Sequence, residues 1–290
     1  MRRLMLLVGT MLLALGLVTA CESASAPAAP STSKPLSQAP AGSGLRKVQD
    51  RGKLIIGTRS DTPTFCYLNS QTGQLEGFDI ALAKEIASYV FGDPTKIEFK
   101  IITSAARIPS LKEGAIDLAI ATMTINEERL KEIDFSVGYY VAGQRILVPQ
   151  TSAIKGLSDL ANKKVGAARG TTSAANLKQM TKAQVVEFDT WAAATQAMLA
   201  GQVDAVSTDD IILYGLQLAN PTTKVVGSQF SYEPYGVGIA KNNPELLNAV
   251  NTVIKNLKSS GKWKTLWLAE VGNKIGVTVA PEPPSDEWKR

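Results

Sequence analysis

From residue 53 to residue 268 the chain alternates short, β-branched apolar runs with amphipathic stretches whose apolar residues recur every three or four positions. The runs at 53–58, 97–102, 117–121, 145–148, 164–168, 184–188, 205–208 and 237–240 predict strands. The stretches at 78–91, 108–113, 126–133, 172–180, 191–200, 211–219, 244–260 and 262–268 predict helices. Alternation at these lengths predicts an α/β fold of largely parallel sheets with helices on their faces. In such sheets ligands sit beyond the carboxyl ends of the strands. That rule selects the loops starting at Arg59, Thr103, Thr122, Arg169 and Asp209.

Both ends break the pattern. Residues 1–21 carry Arg2 and Arg3, an apolar run, and small residues before Cys21, the order of an export signal. The run from 4 to 20 falls short of the about 20 apolar residues a membrane span needs, and Gly9, Thr10, Gly16 and Thr19 interrupt it. Val18-Thr19-Ala20-Cys21 resembles a bacterial lipobox, which implies cleavage before Cys21 and a lipid on its thiol. Cys66 then has no partner, and no disulfide framework is expected. Residues 22–44 are mostly Ala, Ser and Pro, too poor in large apolar side chains to fold, and read as a flexible tether. Residues 276–290 read as a second loose end.

Composition narrows the function. The chain is 44% hydrophobic and 20% charged, ordinary for a soluble globular protein. Its formal charge of +5 falls to +3 once Arg2 and Arg3 leave with the signal, and no basic run marks a nucleic-acid surface. Histidine is absent, so Ser–His–Asp triads, Cys–His dyads and His-ligated zinc are excluded. No cofactor, no metal site and no nucleic-acid partner is expected.

The stretch 117–140 carries the chemistry. An apolar strand runs into a Thr-rich turn (Thr122, Thr124) and then a helix start with Glu127, Glu128 and Arg129. A strand end beside a helix N-terminus gathers N–H groups and hydroxyls, and Arg129 adds a guanidinium suited to a carboxylate. An Arg on a helix surface also pairs readily with neighbours such as Glu128 or Glu132, worth only a few tenths of a kcal/mol. Asp209 ends an apolar strand, where it or Asp210 can cap the next helix. Gly170-Thr171-Thr172-Ser173 begins another helix, with the same choice between cap and anion site.

Gly77-Phe78-Asp79-Ile80, Arg107-Ile108-Pro109-Ser110-Leu111, DLAIATMTINEER from Asp117 to Arg129, Ile133-Asp134-Phe135-Ser136, Tyr139-Tyr140 and Asp204-Ala205-Val206 with Asp209 together resemble bacterial extracellular solute-binding proteins of polar amino-acid ABC importers, family 3. The resemblance implies a two-lobed periplasmic-binding-protein fold of type II, with the ligand cleft between lobes joined by two hinge strands. It divides the chain into lobe 1 at 45–140 and 237–275 and lobe 2 at 141–236, with crossings near 140–143 and 235–237. It implies a non-enzymatic, monomeric receptor held outside the cytoplasm by its lipid. Its partners would be a free amino acid, an ABC permease and the permease's ATPase.

Carried over residue by residue, the resemblance assigns Arg129 to the α-carboxylate, with Thr124 beside it. Thr122 offers a carbonyl to the α-ammonium and Asp209 accepts it, while Thr171 and Thr172 approach from the second lobe. Arg59 and Arg107 stand where family members that bind glutamate or aspartate hold the side-chain carboxylate. At the positions of a glutamine-type aromatic clamp this chain has Thr62 and Ser104. Three arginines against one aspartate would leave +2, which favours an acidic amino acid. Pairing of Arg59 with Asp61 would reopen the alternative of a neutral polar amino acid such as glutamine. Phe65, Tyr67 and Tyr140 lie either along the ligand stem or in the core. A dehydratase of prephenate-like substrates on the same fold is the more distant alternative.

Overall fold

The computed structural model describes residues 35–288. The expected signal, lipid-anchor residue Cys21 and most of the tether lie outside them. Among the described residues no helix is long and apolar enough to cross a membrane.

Two five-stranded sheets form the frame. The first runs in the order Ile97–Ile101, Leu54–Thr58, Leu118–Ala119, Gly238–Ala240, Ile133–Phe135; its first three strands are parallel and the other two antiparallel to their neighbours. The second runs Gln184–Phe188, Lys164–Ala168, Ala205–Asp209, Gln144–Pro149, Thr223–Val226, again with three parallel strands and two antiparallel pairings. Each parallel core is thus narrower than the sequence predicts. Of the strands that complete both sheets, Gln144–Pro149 and Gly238–Ala240 lie where strands are predicted but run antiparallel, and Ile133–Phe135 and Thr223–Val226 are too short to show a period.

Helices cover the sheet faces as the apolar spacing requires. Phe78–Phe91 buries Ile80, Leu82, Ala83, Ile86 and Val90, and Pro244–Ser259 buries Leu246, Val250, Val253, Ile254 and Leu257 against it. Helix Phe78–Phe91 starts at Gly77, whose φ is +118° and whose missing Cβ would stand 2.3 Å from the Phe65 carbonyl oxygen. Only glycine fits there. In place of a side-chain cap, the carbonyls of Thr64 and Phe65 accept the Phe78 and Asp79 N–H groups at 3.0 and 2.9 Å, satisfying donors that a helix start otherwise leaves open.

Two antiparallel strands, Tyr140–Ala142 and Glu233–Tyr235, join the two bodies, and Thr124 bridges to Tyr235 beside them. Phe65 packs edge-on against Tyr140 and Tyr235 beneath this ribbon, with ring centroids 5.0 and 5.8 Å away. Phe65 and Tyr140 are therefore core residues here, and Tyr67 turns away to donate its hydroxyl to Glu76 at 2.7 Å. Within the end expected to be loose, Glu282 forms a surface ion pair with Lys264 and Asp286 with Lys258. The end of the tether docks as well, through Leu36 N–H on the Tyr89 carbonyl and a helix at Gly44–Arg51.

Candidate functional site

The carboxyl ends of the parallel strands in the two sheets face each other across a small polar cavity. Ser104, Arg107, Thr122, Thr124 and Arg129 line it from the first lobe, and Thr171, Thr172, Ser173, Trp191, Thr208, Asp209 and Ile212 from the second. About 10 Å³ of it is open to water, room for about one molecule. The lobes are closed on one another.

Arg129 reaches the cavity because Asn126 caps the helix Glu127–Glu132, accepting the Arg129 N–H at 2.9 Å. The guanidinium folds back over the turn, donating to the Thr124 carbonyl at 2.8 Å and across the cleft to the Gly170 carbonyl at 3.2 Å. Burial lowers its pKa, while the Glu233 and Asp209 carboxylates work to keep the cation.

Arg107 donates to the carbonyls of Ser104, Ala121, Thr122 and Gly170 at 2.9, 3.0, 3.3 and 3.4 Å. Burial and the charges of Arg129 and Arg59 push its pKa well below the usual arginine value. The Thr122 carbonyl, expected to face an α-ammonium, accepts from this guanidinium with one of its two lone pairs. Thr122 itself has φ +45°, a left-handed conformation costly for a β-branched residue. Its N–H is held by the buried Asp79 carboxyl at 2.9 Å.

Arg59 departs most from expectation. It lies behind Ser104 and outside the cavity lining, 1% exposed. Its guanidinium makes two parallel bonds to Asp61, Nε to Oδ1 at 2.9 Å and Nη2 to Oδ2 at 2.8 Å, and donates a third to the Ser104 hydroxyl. Trp191, on the second lobe, donates its backbone N–H to the same Asp61 carboxylate at 2.6 Å. The carboxylate two residues away neutralises Arg59 and removes one of the two excess positive charges expected.

Asp209 occupies the N-cap position of Asp210–Ala219 without capping it, and Asp210 instead accepts the Ile211 N–H at 2.8 Å. Asp209 Oδ2 accepts the Tyr235 hydroxyl, while Oδ1 is buried and has no partner. Burial, then the nearby Glu233 carboxylate, holds this carboxyl well above the usual range. A buried carboxyl oxygen without a partner, on a residue that lines a cavity, is costly unless a donor arrives. Thr171 caps Thr172–Met180, accepting the Ala174 N–H at 3.2 Å. That helix's first turn opens on the cavity, and its leading N–H groups have no intrahelical acceptor.

Sequence reasoning overlooked Glu233 and Trp191. Glu233 is a buried acid on a hinge strand that accepts from Thr124, Thr172, Gln144 and Asn176. Its one signal was an acidic residue set among Tyr232, Pro234 and Tyr235 in a stretch with no helical or strand period.

Two α/β bodies closing over a polar cavity, joined by paired hinge strands, define a two-lobed solute receptor of the type II periplasmic-binding-protein class. Residues 54–268 match the bacterial extracellular solute-binding proteins, family 3, and the chain belongs to that family. It is 41% identical to the ABC transporter glutamine-binding protein GlnH of Bacillus subtilis over 78% of this chain and 85% of that one. It is 46% identical to a glutamine-binding protein of Geobacillus stearothermophilus over 68% and 76%. Identity to the L-glutamate/L-aspartate-binding protein of Pseudomonas aeruginosa is 29% over 82% and 85%. Among solved structures, an ancestral arginine-binding protein bound to glutamine superposes with a TM-score of 0.71 at 39% identity, covering 77% of this chain and 99% of that one. The solute receptor for L-cysteine of Neisseria gonorrhoeae gives 0.78 at 27% identity over 82% and 97%. The chain is thus an amino-acid receptor of an ABC transporter, working outside the cytoplasm, and not an enzyme.

Proposed function

We propose that the ligand is a polar amino acid with an uncharged side chain, glutamine first. The observation that carries this reading is the bidentate Arg59–Asp61 pair. With Asp61 and Glu233 counted beside Asp209, and Asp79 buried near Arg107, the three buried arginines meet at least as many carboxyl groups, and the site has no formal excess of positive charge. A zwitterion with a neutral side chain preserves that balance, whereas glutamate would bring an unpaired buried charge. The identities of 41% and 46% to proteins named for glutamine, against 29% for one named for glutamate and aspartate, support the same choice.

In this reading Arg129, the Thr124 N–H and the first-turn N–H groups at Thr172 and Ser173 hold the α-carboxylate, and Asp209 Oδ1 receives the α-ammonium. That ammonium supplies the donor Oδ1 lacks and the charge that keeps Asp209 ionised. Arg107 acts by bracing the Ala121 and Thr122 carbonyls. The carboxamide lies towards Ser104, whose hydroxyl is backed by Arg59, and against Trp191. Because the closed cavity is so small, entry requires the lobes to part about the Tyr140–Ala142 and Glu233–Tyr235 ribbon. Cys21 as lipid anchor and residues 22–44 as tether complete the proposal.

Calorimetry with a panel of amino acids tests it. Glutamine is expected to bind tightest, with glutamate and aspartate at least about tenfold weaker, the effect of some 1.4 kcal/mol. Tighter binding of either acidic amino acid would return the site to the acidic reading and require Asp61 to release Arg59.

A further inference from the structure

Glu233 is 2% exposed and sits on a hinge strand with four polar side chains turned onto it. Oε2 accepts the Thr124 hydroxyl at 2.7 Å and the Thr172 hydroxyl at 2.8 Å. Oε1 accepts Gln144 Nε2 at 2.9 Å and Asn176 Nδ2 at 3.4 Å. A threonine hydroxyl has one proton and two lone pairs. Thr124 and Thr172 have each committed that proton to Glu233, so only lone pairs remain for the cavity they line. For Thr172 the direction is fixed twice, because its Oγ1 also accepts from Gln144 Nε2 at 3.2 Å. The two hydroxyls come from opposite lobes, and one carboxylate oxygen orients both.

We propose that Glu233 is a positioning residue that sets the polarity of the amine subsite: by taking both threonine protons it makes the two hydroxyls acceptors for the ligand's ammonium, beside Asp209 Oδ1. This rests on the reading that an amino acid occupies the cleft. The Thr124 hydroxyl then serves the ammonium, not the α-carboxylate, which is left to Arg129 and the N–H groups of Thr124, Thr172 and Ser173. Glu233 is also placed to act on the charges around it, since its carboxylate supports the Arg129 cation. A glutamine at 233 would put an amide N–H₂ on one side of the network. Facing the hydroxyls, it would donate to them and free their protons to point at the ammonium. Facing Gln144 and Asn176, it would set donor against donor.

The test compares L-glutamine with glutaramate, the same molecule without its ammonium, by calorimetry on the full chain and on Glu233→Gln. Glutamine binding should weaken about tenfold or more, the worth of a buried charge-assisted hydrogen bond, while glutaramate changes by less than about threefold. A purely structural role would weaken both ligands alike, and equal losses, or no loss for glutamine, overturn the proposal. A double-mutant cycle decides independently of how weakly glutaramate binds. In a Thr124→Val, Thr172→Val background, Glu233→Gln should cost less than about threefold, because the groups it acts through are gone. A loss that simply adds to theirs overturns the proposal. Thermal unfolding of each variant verifies that it is folded. The unsubstituted chain separates the two levels: if another amino acid binds tightest, the glutamine reading fails and the same comparison is made with that amino acid and its deaminated form. If no amino acid binds, both fall.

Discussion

Asp61 lies flat against Arg59, its neighbour two residues back, each carboxylate oxygen accepting one guanidinium N–H, at 2.9 and 2.8 Å. Because Trp191 of the other lobe also donates to Asp61, lobe closure and neutralisation of Arg59 share one carboxylate. Bidentate pairs of this kind are the strong ones, and burial keeps solvent from screening them.

Removing that charge should therefore retune the ligand. In Asp61→Asn the Trp191 N–H keeps an acceptor, but Arg59 is left with an unpaired charge behind Ser104. The ratio of glutamine to glutamate affinity should fall by about tenfold or more, equivalent to some 1.4 kcal/mol or above. Arg59→Gln combined with Asp61→Asn, which removes both charges, should restore the preference for glutamine. Calorimetry on the three proteins measures it. An unchanged ratio in the single variant would detach selectivity from this pair.

Asp79 makes the apoprotein's stability depend on pH. Its side chain is fully buried, accepting the Tyr139 hydroxyl at 2.8 Å and the Thr122 N–H at 2.9 Å, so one carboxyl joins the hinge entrance to the left-handed turn of the site. Burial raises its pKa from 3.8 to about 7, with those two hydrogen bonds and Arg107 pulling the other way. A carboxyl raised on folding favours the protonated native state. Its contribution is complete below 3.8 and disappears as pH rises through about 7. The interval corresponds to about 4 kcal/mol, an order-of-magnitude figure. Asp209 is shifted in the same direction, so the informative quantity is a difference. Denaturant unfolding of the ligand-free protein should show Asp79→Asn gaining stability relative to the parent from pH 4 to pH 7 and levelling off above. A parallel pair of pH profiles would refute it.

The regular elements were legible because their periods are unbroken. Strands Lys164–Ala168 and Gln184–Phe188 and helices Phe78–Phe91 and Thr172–Met180 lie where apolar spacing predicts them. Ile133–Phe135 and Thr223–Val226 escaped notice, and the hinge strands Tyr140–Ala142 and Glu233–Tyr235 were placed by the family resemblance alone, near 140–143 and 235–237. Each is three or four residues long and takes its shape from a partner strand, in the hinge ribbon one that lies far along the chain. The cavity shows the same division. The strand-end rule and the family motifs led to Arg107, Thr122, Thr124, Arg129, Thr171, Thr172 and Asp209, which line one cavity. They could not show which way Arg59 turns, since that depends on a neighbouring carboxylate and a tryptophan from the other lobe. Glu233 was hidden for a related reason: its importance comes from four partners on three separate segments.

Closure itself has a steric gate at Gly170. Its φ is +75°, and its carbonyl accepts from Arg129 at 3.2 Å and from Arg107 at 3.4 Å across the cleft. A Cβ placed there would lie 2.7 Å from Ala105 Cα and 3.0 Å from Ala105 N, backbone atoms of the opposite lobe that cannot rotate away. When the lobes part this clash vanishes, and only the strain of a left-handed alanine remains, about 1–2 kcal/mol. Gly170→Ala should therefore destabilise the ligand-free protein modestly while penalising the closed state much more. Glutamine affinity should fall by about tenfold or more, and small-angle scattering should show the variant keeping its open radius of gyration at ligand concentrations that compact the parent. If the variant closes and binds as the parent does, the lobes meet with more slack at Ala105 than the backbone distances allow.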